Sequence, residues 1–165
     1  MSKNCNQERK QDNVCGPLGP EEINEYIPHR RPFAFLDRVT ALVPGEWAEG
    51  YKLVSRNEWY FDGHFPQGPL LPGVVMVEAL AQLAAVCFSP RWDEDSDDAI
   101  GVFTGMDDVR FRRPVRPGDR LDLNIQLKRS RGNFVQVEAE AAVEGEMAVS
   151  GVLSFALVDW EEYSS

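Results

Sequence analysis

The sequence predicts an α+β fold in which one long helix is buried among strands. The helix is predicted from Gly73 to Phe88, because this stretch has no internal Gly or Pro and is rich in Ala and Leu. It is apolar on nearly every side, which is typical of a helix inside a protein core. The strands are predicted from apolar runs and period-two alternation. The clearest alternation is FVQVEAEAAV, residues 134–143, which indicates a half-exposed antiparallel strand.

The rest of the chain supports a single domain. Residues 1–20 are polar and end in GPLGP, so they are predicted to form a flexible tail. Pro20 then begins a short helix, PEEINEYI, with acids in its first turn. Strands are expected in FAFLDRVTALV and WAEGYKLVS, on either side of a PGE turn, and in four segments after the buried helix. With no internal repeat, residues 21–165 are predicted to be one domain.

Composition and charge exclude several classes of function. A net charge of -10 argues against general nucleic-acid binding and against adhesion to anionic membranes. The apolar helix is too short for a membrane span and contains Glu78. The amino terminus lacks the apolar stretch of a secretory signal, so the cytoplasm is the expected compartment. The three cysteines, at positions 5, 15 and 87, have no C-x-x-C spacing, and no metal is expected.

An acidic segment, WDEDSDD, follows the predicted helix at residues 92–98. We interpret it as a solvated loop. The alternation of Asp93, Asp95 and Asp97 also suggests a calcium loop. That alternative lacks the Gly at the sixth position, and Thr104 stands at the twelfth, where a bidentate Glu is needed.

The candidate site lies at the start of the buried helix. Glu78 and Gln82 are the only polar side chains along that helix, and a spacing of four puts them on one face. A buried carboxylate must be paired or have its pKa raised until it is neutral, and a raised pKa suits a proton donor. His64, in the Gly- and Pro-rich loop before the helix, can accept a proton near pH 7. Free N–H groups at Gly73 and Val74 would complete an acid/base site with an oxyanion hole.

Each of these residues also has a purely structural interpretation. Glu78 can be a structural acid satisfied by Gln82 and backbone groups, and a loop histidine such as His64 is often only a hydrogen-bonded structural residue. His29, the other histidine, competes for the catalytic role. No buried acid stands at a fixed distance from His29 in the sequence, so a capping or substrate-entrance role is favoured for it.

The loop and the helix together contain one long motif, GHFPxxPxxPGVxxxEAxAQ, formed by Gly63, His64, Phe65, Pro66, Pro69, Pro72, Gly73, Val74, Glu78, Ala79, Ala81 and Gln82. This motif closely resembles the signature of the FabZ-type (3R)-hydroxyacyl-[acyl carrier protein] dehydratases of fatty acid synthesis. The resemblance extends over roughly Ile23 to Val158. It implies a hotdog fold, in which a long antiparallel sheet wraps around one central helix.

The resemblance also implies an activity: elimination of water from a 3-hydroxyacyl thioester to give the trans-2-enoyl thioester, with no cofactor. It makes His64 the base, the Gly73 N–H the oxyanion donor and Glu78 the acid. Further oxyanion or substrate-binding positions are Val74, Gln82, Phe65 and Pro72. Glu rather than Asp at position 78 resembles the FabZ type and not the FabA type, so double-bond isomerisation is not expected.

Partners follow from the same resemblance. It implies an acyl carrier protein as the substrate carrier and a homodimer, or a trimer of such dimers. Acyl carrier proteins are acidic, and bases outnumber acids between residues 110 and 131. The predicted carrier-protein contacts are Arg110, Arg112, Arg113 and Arg116. The alternative is a solvated strand edge whose charges discourage strand pairing.

Three other functions stay open at this stage. The chain is also compatible with a hotdog acyl thioesterase, with a dehydratase of a polyketide or secondary-metabolite pathway, and with a non-catalytic acyl-binding homologue. Acyl chain length depends on the depth of the tunnel and so on tertiary packing, and the choice between carrier protein and coenzyme A stays open.

Overall fold

The fold is available as a computed structural model, which describes residues 14–89 and 99–159. The predictions for the tail before residue 14 and for the acidic segment 92–98, with its calcium alternative, lie outside the described residues.

The described residues form one antiparallel sheet and one long helix. The helices are α1 (Pro20–Tyr26) and α2 (Gly73–Cys87), with a 3-10 turn (Trp59–Asp62) between them. The strands are β1 (Arg38–Val43), β2 (Trp47–Leu53), β3 (Ala99–Phe111), β4 (Arg120–Arg131), β5 (Phe134–Val143) and β6 (Glu146–Asp159). Their order in the sheet is β1-β2-β4-β5-β6-β3, and every pairing is antiparallel. The predicted α+β class and its central helix are confirmed.

The core lies between α2 and the inner face of the sheet. Leu80 and Leu83 of α2 are fully buried, as are Leu121 and Ile125 of β4. Each such side chain contributes roughly 1.5 to 3 kcal/mol of transfer free energy, so the helix and sheet stabilise one another. Gly50 of β2 permits close packing, because an added Cβ would lie 3.4 Å from Leu83 Cδ1 and would strike the backbone of β1.

The packed chain begins earlier than predicted. Cys15 and Leu18 form isolated bridges with Leu42 and Val39 of β1, and Cys15 is buried. The predicted boundary between tail and domain, at residues 20 and 21, is therefore too late for the described residues. These bridges use backbone N–H and C=O groups at a sheet edge, and such pairing leaves no periodic pattern in the side chains.

The first strand begins later than predicted. It was expected to include Phe33, but β1 starts at Arg38. The backbone of Phe33 and Phe35 is instead hydrogen-bonded to the side chain of Gln82 on α2. A side chain has replaced the neighbouring strand as the partner of this segment.

The two edges of the sheet differ. β1 is partly covered by the bridges to residues 15 and 18, whereas β3 pairs with β6 on one side only. Three large apolar side chains of β3 are exposed: Phe103, Met106 and Phe111. In the ranges 14–89 and 99–159, no helix is both long and apolar enough to cross a membrane.

Candidate active site

The loop that carries His64 is closed by hydrogen bonds at both ends. We call residues 63–70 the His64 loop. At its start, the Tyr60 carbonyl accepts from the backbone N–H of His64 at 2.9 Å. At its end, the Leu70 N–H donates to the His64 carbonyl at 3.0 Å, and the His64 ring stacks on Phe65 with centroids 4.0 Å apart.

The orientation of the His64 ring follows from one further contact. Nδ1 lies 2.8 Å from the Leu70 carbonyl oxygen, which can only accept a hydrogen bond. Nδ1 therefore carries the proton in the neutral ring, and Nε2 is left with its lone pair. This arrangement orients a proton acceptor.

Glu78 is held by the residue predicted to hold it. Gln82 Nε2 donates to Glu78 Oε1 at 2.9 Å and also to the Phe33 carbonyl at 2.8 Å. Gln82 Oε1 accepts from the backbone N–H of Phe35 at 2.9 Å, so this fully buried amide has partners at both ends. The network fixes the carboxylate on its face of α2.

Two sequence-based expectations about Glu78 are corrected here. Its side chain is 27% exposed rather than buried, and its neighbour on the open side is His29, whose Nε2 lies 3.5 Å from Glu78 Oε1. No buried acid was expected at a fixed distance from His29, because His29 and Glu78 are far apart in the chain. No spacing rule could have revealed the contact, which depends on how Gln82 binds the segment after His29.

His29 is a neutral neighbour of this carboxylate. Burial lowers the pKa of His29 and is the largest of the effects. The Glu78 carboxylate raises this pKa by less than burial lowers it, and Arg30 lowers it again. A neutral imidazole can still donate one hydrogen bond from Nε2 to the carboxylate. His29 Nδ1 is buried and has no hydrogen-bond partner among the described residues.

The third predicted component, the helix N-terminus, begins at Gly73 as expected. Pro72 is the N-cap residue, and its carbonyl accepts from the N–H groups of Val75 and Met76. A Cβ on Gly73 would lie 2.8 Å from Cε1 of the Phe111 ring, so only glycine fits without a shift. Val74 is 77% exposed in the single chain. The first N–H groups of a helix lack intrahelical acceptors and lie at its positive end.

The structure does not bring the predicted base and acid into contact within one chain. Among the hydrogen bonds and ion pairs of residues 14–89 and 99–159, none joins His64 to Glu78. The same residues contain no group of three His, Cys, Asp or Glu side chains that could hold a metal ion.

The four predicted carrier-protein arginines are not equivalent. Arg110, Arg112 and Arg116 are exposed. Arg112 Nη1 lies 2.6 Å from Ser150 Oγ, and Arg110 lies 3.8 Å from Asp108. Arg113 differs, because its side chain is only 22% exposed and its Nε is 3.0 Å from Glu146 Oε2. Arg113 is thus largely part of the folded surface and less available to a partner.

Comparisons with known proteins identify the family of this chain. The sequence profile of the FabA-like domain matches residues 27–151. The 3-hydroxyacyl-[acyl-carrier-protein] dehydratase FabZ of Bacillus subtilis is 44% identical over 140 residues, covering 85% of this chain and 98% of that protein. FabZ of Clostridioides difficile is 44% identical over 142 residues, covering 86% and 99%.

A solved structure shares the fold at lower sequence identity. The dehydratase heterocomplex ApeI:P from Xenorhabdus doucetiae superimposes with a TM-score of 0.72 at 24% identity, covering 86% of this chain and 94% of that one. The profile match spans most of the chain, and the FabZ proteins align over almost their whole length. This chain therefore belongs to the FabA-like family and, within it, to the FabZ 3-hydroxyacyl-[acyl-carrier-protein] dehydratases.

Proposed function

We propose that this protein removes water from (3R)-hydroxyacyl-[acyl carrier protein] to give the trans-2-enoyl thioester, as a cytoplasmic step of fatty acid biosynthesis. The observation that carries the proposal is the fixed ring of His64, oriented as a base by Leu70, in a chain of the FabZ family. Removing a proton beside a thioester develops negative charge on the carbonyl oxygen. The reaction therefore needs a base, an oxyanion donor and an acid.

His64 takes the proton. Its Nε2 accepts the C2 proton of the substrate, and the resulting imidazolium is stabilised because Nδ1–H donates to the Leu70 carbonyl. The stacked Phe65 ring restricts rotation of the imidazole and contributes an apolar surface for the acyl chain. A base held in one orientation needs no reorganisation as the reaction proceeds.

Glu78 supplies the proton that leaves with the hydroxyl group. As the C3–O bond breaks, this proton converts the departing hydroxyl to water, either directly or through a bridging water. Both side-chain donors, Gln82 Nε2 and His29 Nε2, approach Oε1. Oε2 is thereby left as the oxygen that carries the proton.

The N-terminus of α2 stabilises the oxyanion. The thioester oxygen lies at the Gly73 N–H, with Val74 beside it, where the positive end of the helix favours developing negative charge. Pro72 is the N-cap residue, and its carbonyl accepts from the Val75 and Met76 N–H groups, so the N–H groups of Gly73 and Val74 are the ones without an intrahelical acceptor. The Phe111 ring packs against Gly73 and shields this end of the helix.

A complete site requires a second copy of the chain. The absence of a contact between His64 and Glu78 in one chain supports a site built by both subunits, with the base from one and the acid from the other. The open edge of β3, with its exposed Phe103 and Met106, supports a two-fold contact between β3 strands. Higher assembly, such as a trimer of dimers, would leave these two sites unchanged.

The experiment is mass spectrometry of 3-hydroxyacyl carrier proteins of several chain lengths after incubation with the protein. The hydroxyacyl carrier protein is expected to lose the mass of one water. Incubation with excess enoyl carrier protein should drive the reverse reaction, in which water is added. The His64→Ala and Glu78→Gln variants should each lose about 100- to 10,000-fold in turnover with the fold intact. Release of free thiol without loss of water would instead identify a thioesterase. Full activity of His64→Ala would overturn the assigned mechanism.

A further inference from the structure

One buried charge is not part of the chemistry proposed above. Lys52 of β2 is 2% exposed, although a lysine is almost never fully buried unless it is paired. Its Nζ lies 2.8 Å from Glu58 Oε1, and no other described residue forms an ion pair with it. Burying an ammonium group is costly, and apolar residues in such places are often at least as stable. Stability alone therefore does not explain the Lys52–Glu58 pair.

The carboxylate partner lies at the start of the turn that leads to the base. Glu58 is the N-cap residue of the 3-10 turn Trp59–Asp62, and its carbonyl accepts from the Phe61 N–H at 3.1 Å. Two residues further along the chain, the Tyr60 carbonyl accepts from the backbone N–H of His64 at 2.9 Å. The side chain of Glu58 is thus separated from the backbone of His64 by one short turn.

Lys52 also contacts the segment that holds the acid. Its Nζ lies 5.5 Å from the centroid of the Phe35 ring, a cation–π distance. The backbone N–H of Phe35 donates to Gln82, which in turn donates to Glu78. One ammonium group therefore touches both the turn before His64 and the segment that orients Glu78.

We propose that the Lys52–Glu58 ion pair is a positioning element that fixes the His64 loop for catalysis. A charged hydrogen bond fixes the direction of Glu58, which an apolar contact of equal volume does not do. The inference rests on the proposed role of His64 as the base. Lys52 and Glu58 touch no reacting atom, and their effect passes through the backbone to the ring of His64.

Three variants test this inference in the full-length protein: Lys52→Met, Glu58→Gln and the double variant Lys52→Met/Glu58→Leu. The double variant replaces the pair with apolar side chains, so a loss of folding is not expected from an unpaired charge. In each, kcat is expected to fall between tenfold and about 100-fold while KM stays within about twofold, since a small misplacement of a catalytic group can cost about 100-fold. The matched control is Lys128→Met, which breaks the exposed Lys128–Glu138 pair and should leave kcat unchanged.

A second measurement separates positioning from folding. The ¹⁵N NMR signals of the His64 ring report its tautomer, and His29→Gln assigns them, because the chain has only 2 histidines. In its neutral form, the wild-type ring should show the Nδ1–H tautomer alone, whereas the folded pair variants should show a mixture.

Two results overturn the proposal: a folded double variant with wild-type kcat and tautomer, or a loss of folding in all three variants, which would make the pair structural. Wild-type turnover in His64→Ala would instead refute the base assignment, and it is measured separately.

Discussion

His29 Nε2 lies 3.5 Å from Glu78 Oε1, on the open side of the carboxylate that is proposed to protonate the leaving hydroxyl. On the other side of the same oxygen, Gln82 donates at 2.9 Å. Oε1 of the acid thus accepts a hydrogen bond from Gln82 and lies in contact with the ring of His29. The Gln82 amide orients the carboxyl group without placing a positive charge beside it.

The lowered pKa of His29 makes stability depend on pH. An unfolded His29 takes up a proton as the pH falls through about 6.5, whereas the folded residue resists until a lower pH. Stability from this source is therefore fully present above pH 6.5 and is lost as the pH falls below it. We expect the melting temperature of the wild type to fall more between pH 7.5 and 5.5 than that of His29→Gln.

The control for this prediction is Lys128→Met, which retains both histidines, breaks only an exposed ion pair and should show the same fall as the wild type. Parallel curves for the wild type and His29→Gln would show that His29 does not resist protonation in the folded protein.

The features that could be predicted depend on local sequence, whereas those that could not depend on contacts between distant segments. The helix over residues 73–87 could be predicted because its composition and lack of breakers are local, and the spacing of Glu78 and Gln82 fixes their common face within that helix. The His29 contact is not local. It forms because Gln82 binds the backbone of Phe33 and Phe35. Every residue has such backbone groups, so no residue type in the sequence marks this contact.

The Lys52–Glu58 pair was not predicted for a related reason. In the sequence, Lys52 is a polar residue in a strand, and alternation alone does not tell which face of the sheet it occupies. In the structure it faces inward, opposite Leu121 on β4, beneath the Phe35 ring. Only the placement of Phe35 and of the 3-10 turn makes a partner available for a buried ammonium.

The exposed arginines should matter for carrier-protein substrates and not for small ones. Arg112→Glu and Arg116→Glu are expected to raise the KM for acyl carrier protein substrates severalfold at low salt and to leave small thioester mimics nearly unaffected. Steady-state kinetics at two salt concentrations measures this, because screening should shrink the difference.

Two matched variants make that experiment decisive. Arg131→Glu makes the same charge change at the other end of β4, roughly 36 Å along the strand from Arg120, and should not raise KM. Arg113→Glu should lower the melting temperature instead, since Arg113 pairs with Glu146. An equal rise in KM for all four variants would show that the effect depends on net charge and not on the position of the arginine.

Tyr60 offers a stabilising substitution beside the site. Its hydroxyl is buried and has no hydrogen-bond partner among the described residues, and burial raises its pKa further above the usual range. Tyr60→Phe removes that group and keeps the ring contacts with Trp59 and Phe61. We expect a gain of about 1 kcal/mol, or about 2 to 4 °C in melting temperature, with unchanged kcat. Calorimetry that shows a loss would mean that the hydroxyl has a partner in solution.

The proposed division of each site between two subunits makes a further prediction. Subunits carrying His64→Ala and Glu78→Gln, with different tags, can be co-expressed and the mixed dimers purified by two affinity steps. In a site shared by two chains, each mixed dimer has one site with both lesions and one with neither. Purified mixed dimers should then recover about half of the wild-type kcat, although each parent is inactive. Because both parents retain their fold, restored activity would arise only from pairing an intact Glu78 with an intact His64 across the interface. Mixed dimers as inactive as the parents would place each complete site within one chain.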